Sequence, residues 1–266
     1  MTRASDYSRA DVVAALRAVG VRPGDTVFSH TSVGMLGLPA EGLDRQAVTD
    51  LFYSAFFEVL GSDGTWILPA YTYSYTAGEP FDPRSTPPRN MGVLPEMLWR
   101  HPDARRSLDP IFSVIAFGRH ADEIAASSST DCFGVDSVYA KLIAMDAAVC
   151  NVGLGSHAAL LHHVEQVLGV PYRYIKVFDG TTVDDNGERQ SSVRYNVRSL
   201  DNPRHAAYFM RLDRDGRADG SIGSARVGRG EINLIRARRM AELAHEGIAR
   251  DPEYLVVGDL AGLAVA

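Results

Sequence analysis

The chain has 266 residues, 45% hydrophobic and 23% charged, proportions typical of a folded globular protein with room for one large domain or two small ones. Its net charge of −6 disfavours nonspecific attraction to nucleic acid or an anionic membrane, and no stretch of about eighteen uninterrupted apolar residues suggests a membrane span. The first nine residues lack the basic-then-apolar layout of a secretory signal, and Cys132 and Cys150 have no metal-ligand spacing, so a cytoplasmic protein with two free buried thiols is expected, a single disulfide being the alternative.

Val12, Leu16 and Val19 share one face of an amphipathic helix predicted over 8–19, stopped by the turn Val21-Arg-Pro-Gly-Asp. Thr26-Val-Phe-Ser-His then has the look of a buried strand whose tip enters a site. A loop with Gly34, Gly37 and Pro39 leads to a helix over 44–60, and Thr65-Trp-Ile-Leu-Pro-Ala is a second buried strand; this order is an α/β signature. Tyrosines, prolines and small polar residues fill 71–90 without any period, which marks a functional loop. A helix over 92–101, a strand over 110–118, a helix over 136–144, a strand over 148–155 and a helix over 158–168 follow. Residues 172–212 read as β-structure around an Asn-Gly turn in Val183-Asp-Asp-Asn-Gly-Glu, and 233–250 as a closing helix. The expected architecture is a single compact α/β domain over 1–266, with a central mixed sheet flanked by helices and a β-rich excursion in its second half.

Titratable residues are densest in Ser156-His-Ala-Ala-Leu-Leu-His-His-Val-Glu-Gln. Three positions apart on a helix, His162 and Glu165 can touch, and a carboxylate beside an imidazole orients it and favours its protonated form. Such a pair suits deprotonation of an amine or hydroxyl nucleophile; a solvated helix face is the plainer alternative. His157, His162, His163 and Glu165 also contain potential zinc ligands, but adjacent His162 and His163 point about 100° apart on a helix, and no HExxH pair is present, so no metal is expected. Phe28-Ser-His-Thr-Ser-Val-Gly offers small hydroxyls and Gly34, which let a ligand approach backbone N–H groups; an ordinary turn would look the same. Arg105 and Arg106 could hold a phosphate or cap the preceding helix.

Several segments together resemble the aminoglycoside 3-N-acetyltransferase family over nearly the whole chain. They are the 21–32 strand and loop, Gly64-Thr-Trp-Ile-Leu-Pro-Ala, Phe81-Asp-Pro-Arg-Ser-Thr-Pro, Arg106-Ser-Leu-Asp-Pro-Ile-Phe-Ser, Leu161-His-His-Val-Glu, and Val227-Gly-Arg-Gly-Glu as the start of a last helix. The resemblance implies direct acyl transfer from acetyl-CoA, or another acyl-CoA, to a small-molecule amine, with His162 as base and Glu165 orienting it. It implies CoA contacts at His30, Thr31, Ser32 and Gly34 and at Arg106, Ser107 and Ser113, with donors in the 32–37 loop for the thioester oxyanion. Two residues depart from the family pattern: Asp109 replaces a histidine and Ala159 a threonine. Asp109 could join the catalytic group by pairing with the acceptor or with His162, or could cap the turn before Pro110. Arg173 and Lys176 suggest an anionic group on the acceptor, such as a carboxylate or the phosphate of a nucleotide-linked amino sugar. Competing expectations are an amide or thioester hydrolase using the same pair, and a non-catalytic CoA- or sugar-binding protein.

Overall fold

The computed structural model describes residues 5–127, 130–184 and 186–258; Asp185 of the expected turn and both ends of the 1–266 span lie outside them. Helix α1 (Arg9–Ala18) starts at a reciprocal cap: the Ser8 hydroxyl accepts the Asp11 N–H, and the Asp11 carboxylate accepts the Ser8 N–H at 2.8 Å. Strand β1 (Thr26–Phe28) follows, then α2 (Arg45–Leu60), capped by Asp44, and β2 (Thr65–Pro69). The 71–90 stretch is a loop with one 3-10 turn at Tyr75–Ala77. Beyond it come α3 (Val93–Leu98), β3 (Arg105–Arg106), β4 (Val114–Gly118), α4 (Ala121–Ala125), α5 (Val138–Ala144), β5 (Ala148–Val152) and α6 (Leu160–Leu168). The second half holds β6 (Arg173–Asp184), β7 (Gly187–Arg198), α7 (Met210–Ala218), β8 (Gly223–Val227), β9 (Gly230–Arg236) and α8 (Ala237–Arg250).

Seven strands form one mixed sheet in the order β3-β4-β2-β1-β5-β9-β8, parallel only in its β2-β1-β5 centre. The central strands are buried on both faces, which explains their continuous apolar runs. Val27, Trp66, Leu68 and Cys150 pack with α1 and α2 on one face, while Phe28, Ile67 and Val149 pack with α5, α6 and α8 on the other. This is a single compact α/β domain with helices on both faces, and β6 and β7, twelve residues each, pair as a separate hairpin, the β-rich excursion. Both cysteines are free and buried. No helix among the described residues is long and apolar enough to cross a membrane.

Three expectations need correction. Residues 233–236 belong to β9, and the closing helix starts only at Ala237. Val227-Gly-Arg-Gly-Glu is accordingly the turn between β8 and β9 rather than the start of a helix, with Gly228 at φ +54°. The β-rich region ends at Arg198, and 210–218 are helical. In addition, β3 and α4, which are only two and five residues long, have no counterpart in the sequence reading.

Candidate active site

The candidate site gathers at the carboxyl ends of the parallel strands β1 and β5, where open α/β sheets commonly bind ligands. His30 follows β1, and a bend through Gly153 and Gly155 carries β5 into α6. Gly153 has φ +68°, and a Cβ there would collide with the carbonyl oxygen of Ser32, so glycine is what lets the two strand exits lie side by side. Asn151, wholly buried, ties them: its Oδ1 accepts the His30 N–H at 3.1 Å, and its Nδ2 donates to the carbonyls of Gly155 and His157 at 2.9 and 2.7 Å.

On α6 the i,i+3 spacing brings His162 Nδ1 to 2.6 Å from Glu165 Oε2. Glu165 is completely buried, and its other oxygen accepts the Tyr172 hydroxyl at 2.9 Å. Burial works against the ionised carboxylate, but His162, Arg173 and Tyr172 together outweigh it and hold its pKa below the ordinary value.

Arg173 makes the pair a triad of charges. Its Nε lies 2.6 Å from Glu165 Oε2, but the N–H is not aligned with that oxygen, so the contact is between charges rather than a formed hydrogen bond. Its Nη1 donates to the Asn196 carbonyl at 2.9 Å, and its Nη2 stands 2.9 Å from His162 Nδ1. A guanidinium can only donate, so Nδ1 could accept from it only after losing its own proton. Two lone pairs, on Nδ1 and on Glu165 Oε2, would then face each other at 2.6 Å. The proton therefore stays on Nδ1, directed at Glu165, and Arg173 acts through its charge. Burial first and the Arg173 charge second push the His162 pKa below its ordinary value, with Glu165 pulling the other way. The imidazole is neutral at pH 7 and its Nε2 carries a lone pair.

His162 lines a cavity of about 230 Å³ with His30, Tyr71, Tyr73, His157 and Tyr195 among its neighbours. His30 Nε2 accepts the N–H of Ala159 at 3.3 Å, at the start of α6, where the alanine side chain offers no cap. The proton of neutral His30 is thus on Nδ1. Burial, followed by the neighbouring histidines, lowers the His30 pKa to about 3 and that of His157 to about 4.

Of the expected CoA contacts, His30 lines this cavity; Thr31, Ser32 and Gly34 lie further along the same loop. Thr31 bridges to Val152, and the N–H groups of Ser32, Met35 and Gly37 are engaged with β5 or within the loop. Arg106 faces a different cavity, of about 690 Å³, together with Arg100 and Arg105. Its guanidinium donates to the carbonyls of Ala70, Pro83 and Thr86 and to the Ser113 hydroxyl, and so pins the 71–90 loop. Burial brings its pKa down to about 10, against the pull of Asp82. Ser107 and Ser113 are fully buried; Ser107 Oγ accepts the Val114 N–H and Ser113 Oγ donates to the Ala70 carbonyl. Arg105 pairs with Asp122 and with the carbonyls of Pro102 and Ala104, which lie beyond the end of α3 at Leu98, so it does not cap that helix.

Asp109 Oδ1 accepts the N–H groups of Ile111 and Phe112, both at 2.8 Å, and lies 3.5 Å from Cys132 Sγ. These bonds are those of a turn cap, the plainer alternative for this residue. Burial of its carboxyl raises its pKa. Among the described residues no group of three His, Cys, Asp or Glu side chains is arranged for a metal. Tyr73, Tyr195 and Arg198 line the site without having been singled out in the sequence, because they come from the aperiodic loop and from the far strand of the hairpin.

A profile of the family described as aminoglycoside 3-N-acetyltransferase matches residues 29–249. Aminoglycoside N(3)-acetyltransferase VII of Streptomyces paromomycinus is 30% identical over 255 residues, covering 85% of this chain and 86% of that protein. Aminoglycoside N(3)-acetyltransferase III of Pseudomonas aeruginosa is 26% identical, covering 90% and 92%. The crystal structure of aminoglycoside acetyltransferase AAC(3)-Xa superposes with a TM-score of 0.78 at 25% identity over 93% of each chain. AAC-IIIb, solved as a binary complex with CoASH, superposes with a TM-score of 0.79 at 24% identity, over 91% of this chain and 96% of that one. The class that this fold and these similarities define is the N-acyltransferases, enzymes that place an acyl group on nitrogen. Within that class, the chain belongs to the aminoglycoside 3-N-acetyltransferase family.

Proposed function

We propose that this enzyme transfers an acetyl group from acetyl-CoA to an amino group of an amino sugar or a related metabolite, with His162 as general base. The observation that carries the reading is an imidazole held 2.6 Å from a fully buried carboxylate on the wall of a cavity. Its Nε2 takes the proton of the attacking amine. Glu165 keeps the ring in the Nδ1–H tautomer and stabilises the imidazolium as it forms. The amine nitrogen bonds to the acyl carbon, the C–S bond breaks, and the departing sulfur receives the proton that His162 removed. His30, whose Nε2 accepts the Ala159 N–H, lines the same cavity and keeps its Nδ1–H as a donor. That donor suits the thioester oxygen as it gains charge, an effect of roughly 3 kcal/mol in comparable sites. The CoASH complex of AAC-IIIb supports a CoA thioester as the donor. Arg106, with its donors spent on loop carbonyls, shapes the protein beside the site in this reading, and Asp109 supports a turn.

Thiol release from acetyl-CoA, measured with and without a panel of amines, tests the proposal. Release that requires an amine, together with an acetylated product of the expected mass, is predicted. Equal release in the absence of any amine would make the chain a thioester hydrolase.

A further inference from the structure

The cavity at His162 shares Tyr73, Tyr195 and Arg198 with a larger outer cavity of about 590 Å³. Hairpin register explains its chemistry. Side chains alternate along a strand, so Tyr174, Lys176 and Phe178 point to one face, together with their partners Val197, Tyr195 and Val193. All but Val193 line the outer cavity. Arg173, three residues from Lys176, belongs to the opposite face and is committed to Glu165, which leaves it unavailable to an acceptor. By register Arg198 is the partner of Arg173, but as the last residue of β7 it lines both cavities and so takes the place the sequence had suggested for Arg173.

The charge of these walls runs against the charge of the molecule. Among the described residues lining the two cavities, Asp201 is the single carboxylate, against Lys176, Arg173 and Arg198. Only Arg173 has an ion-pair partner there. Lys176 Nζ sits 4.7 Å from the centre of the Phe178 ring, and the Arg198 guanidinium donates to the Ser199 carbonyl at 3.4 Å. In a chain of net charge −6, two uncompensated cations beside the putting-together point of amine and thioester are an anion-attracting arrangement. The rest of the wall is aromatic, with Tyr73 and Tyr174 about half exposed and ready to stack on a flat or apolar group.

We propose that the acceptor is an amine that also carries a carboxylate or phosphate, seated in the outer cavity with its anion on Lys176 and Arg198 and its amine directed at His162. This rests on the acyl-transfer reading above and names the acceptor class for the same site. A polycation meets repulsion in these walls, with Asp201 as its one counter-charge.

Matched acceptors test it: glucosamine against glucosamine 6-phosphate for the phosphate arm, and 4-methylbenzylamine against 4-(aminomethyl)benzoate for the carboxylate arm, with kanamycin as the polycation. At least one anionic member should exceed its neutral twin in kcat/KM by roughly tenfold, as expected for one or two partly exposed charge contacts, and kanamycin should fall below both. In Lys176→Met/Arg198→Met, and to a smaller degree in Lys176→Met alone, that ratio should fall toward one. Neutral twins or kanamycin used as well as the anionic amines, or a ratio unmoved by the double substitution, would overturn the proposal. Should no acceptor release thiol, the acyl-transfer reading fails, and calorimetric binding of the same pairs to the wild type and the double variant still decides the acceptor class. Preference for the anionic twin that the double variant loses supports it, and equal binding refutes it.

Discussion

The Arg173 guanidinium and the Glu165 carboxylate pull the His162 equilibrium in opposite directions, after burial has already moved it down. A base works as its neutral form, so a lowered pKa keeps His162 competent further into the acid range. Replacing Arg173 with Met removes a cation from Nδ1 and should shift the acidic limb of the kcat/KM profile to higher pH, while Arg173→Lys retains the charge and should stay nearer the wild type. A limb that is unmoved, or displaced to lower pH, in Arg173→Met would contradict the electrostatic role. The dyad itself was legible because i,i+3 on a helix fixes adjacency whatever the tertiary structure. Arg173 was not, because its partner is set by which face of the hairpin it occupies; the period-two rule separates it from Lys176, but only once 173–176 is known to be a strand. Asp109 and Ala159 show the same limit. A sequence displays the substitution, whereas the turn that Asp109 caps and the His30 ring that receives the Ala159 N–H are long-range facts.

At the scale of elements, the 71–90 loop reaches from β2 to the hairpin. Tyr75 donates its hydroxyl hydrogen to the Ser191 carbonyl at 2.6 Å, Phe81 bridges to Thr182, and Arg106 binds the loop carbonyls from below. Arg106→Met removes these charge-assisted bonds and takes a donor from the half-buried carbonyls of Pro83 and Thr86, which should cost about 2–4 kcal/mol. Urea denaturation would measure that loss, and limited proteolysis should cut within 71–90 sooner than in the wild type. Unchanged stability and cleavage would show that the loop is held without it. Long apolar strands and capped helices were readable, with Ser8 and Asp44 marking their starts. The β9–α8 boundary was not: Arg236, the residue before α8, gives it no side-chain cap, and Ile232, Leu234 and Ile235 continue into its apolar face with no glycine or proline between. Helix α7 was missed because it buries little beyond Leu212, Asp213 and Gly216 and so shows almost no apolar stripe.

For the whole molecule, three histidines around one cavity are held below their ordinary pKa: His30 at about 3, His157 at about 4, and His162 in the same direction. Between about pH 6.5 and these folded-state values the unfolded chain binds protons that the folded one excludes, so the three histidines lower stability as pH falls, against the smaller opposite contribution of the single carboxyl of Asp109, whose pKa burial raises. The slope is at most ~1.4 kcal/mol per pH unit for each histidine that stays neutral. Glu165, with its pKa lowered, adds to the loss only below the ordinary carboxylate range. Urea unfolding at pH 7, 6 and 5 should show this decline, and His157→Gln should flatten it; stability that is level or rises toward pH 5 would contradict the account. The mixed sheet and its strand-end site followed from the alternation of apolar runs and helices, but the convergence of His30, His157 and His162 needed the assembled sheet, because β1 and β5 are far apart in sequence and adjacent in space.

The central claim is that His162 removes the proton from the amine. The direct measurement is amine-dependent thiol release by His162→Ala, run beside the thermal shift that CoA produces in each protein. Turnover lower by about 10²–10⁴ with the CoA shift retained is the predicted result, the range expected for loss of a general base from an otherwise intact site. Wild-type turnover in His162→Ala would contradict it.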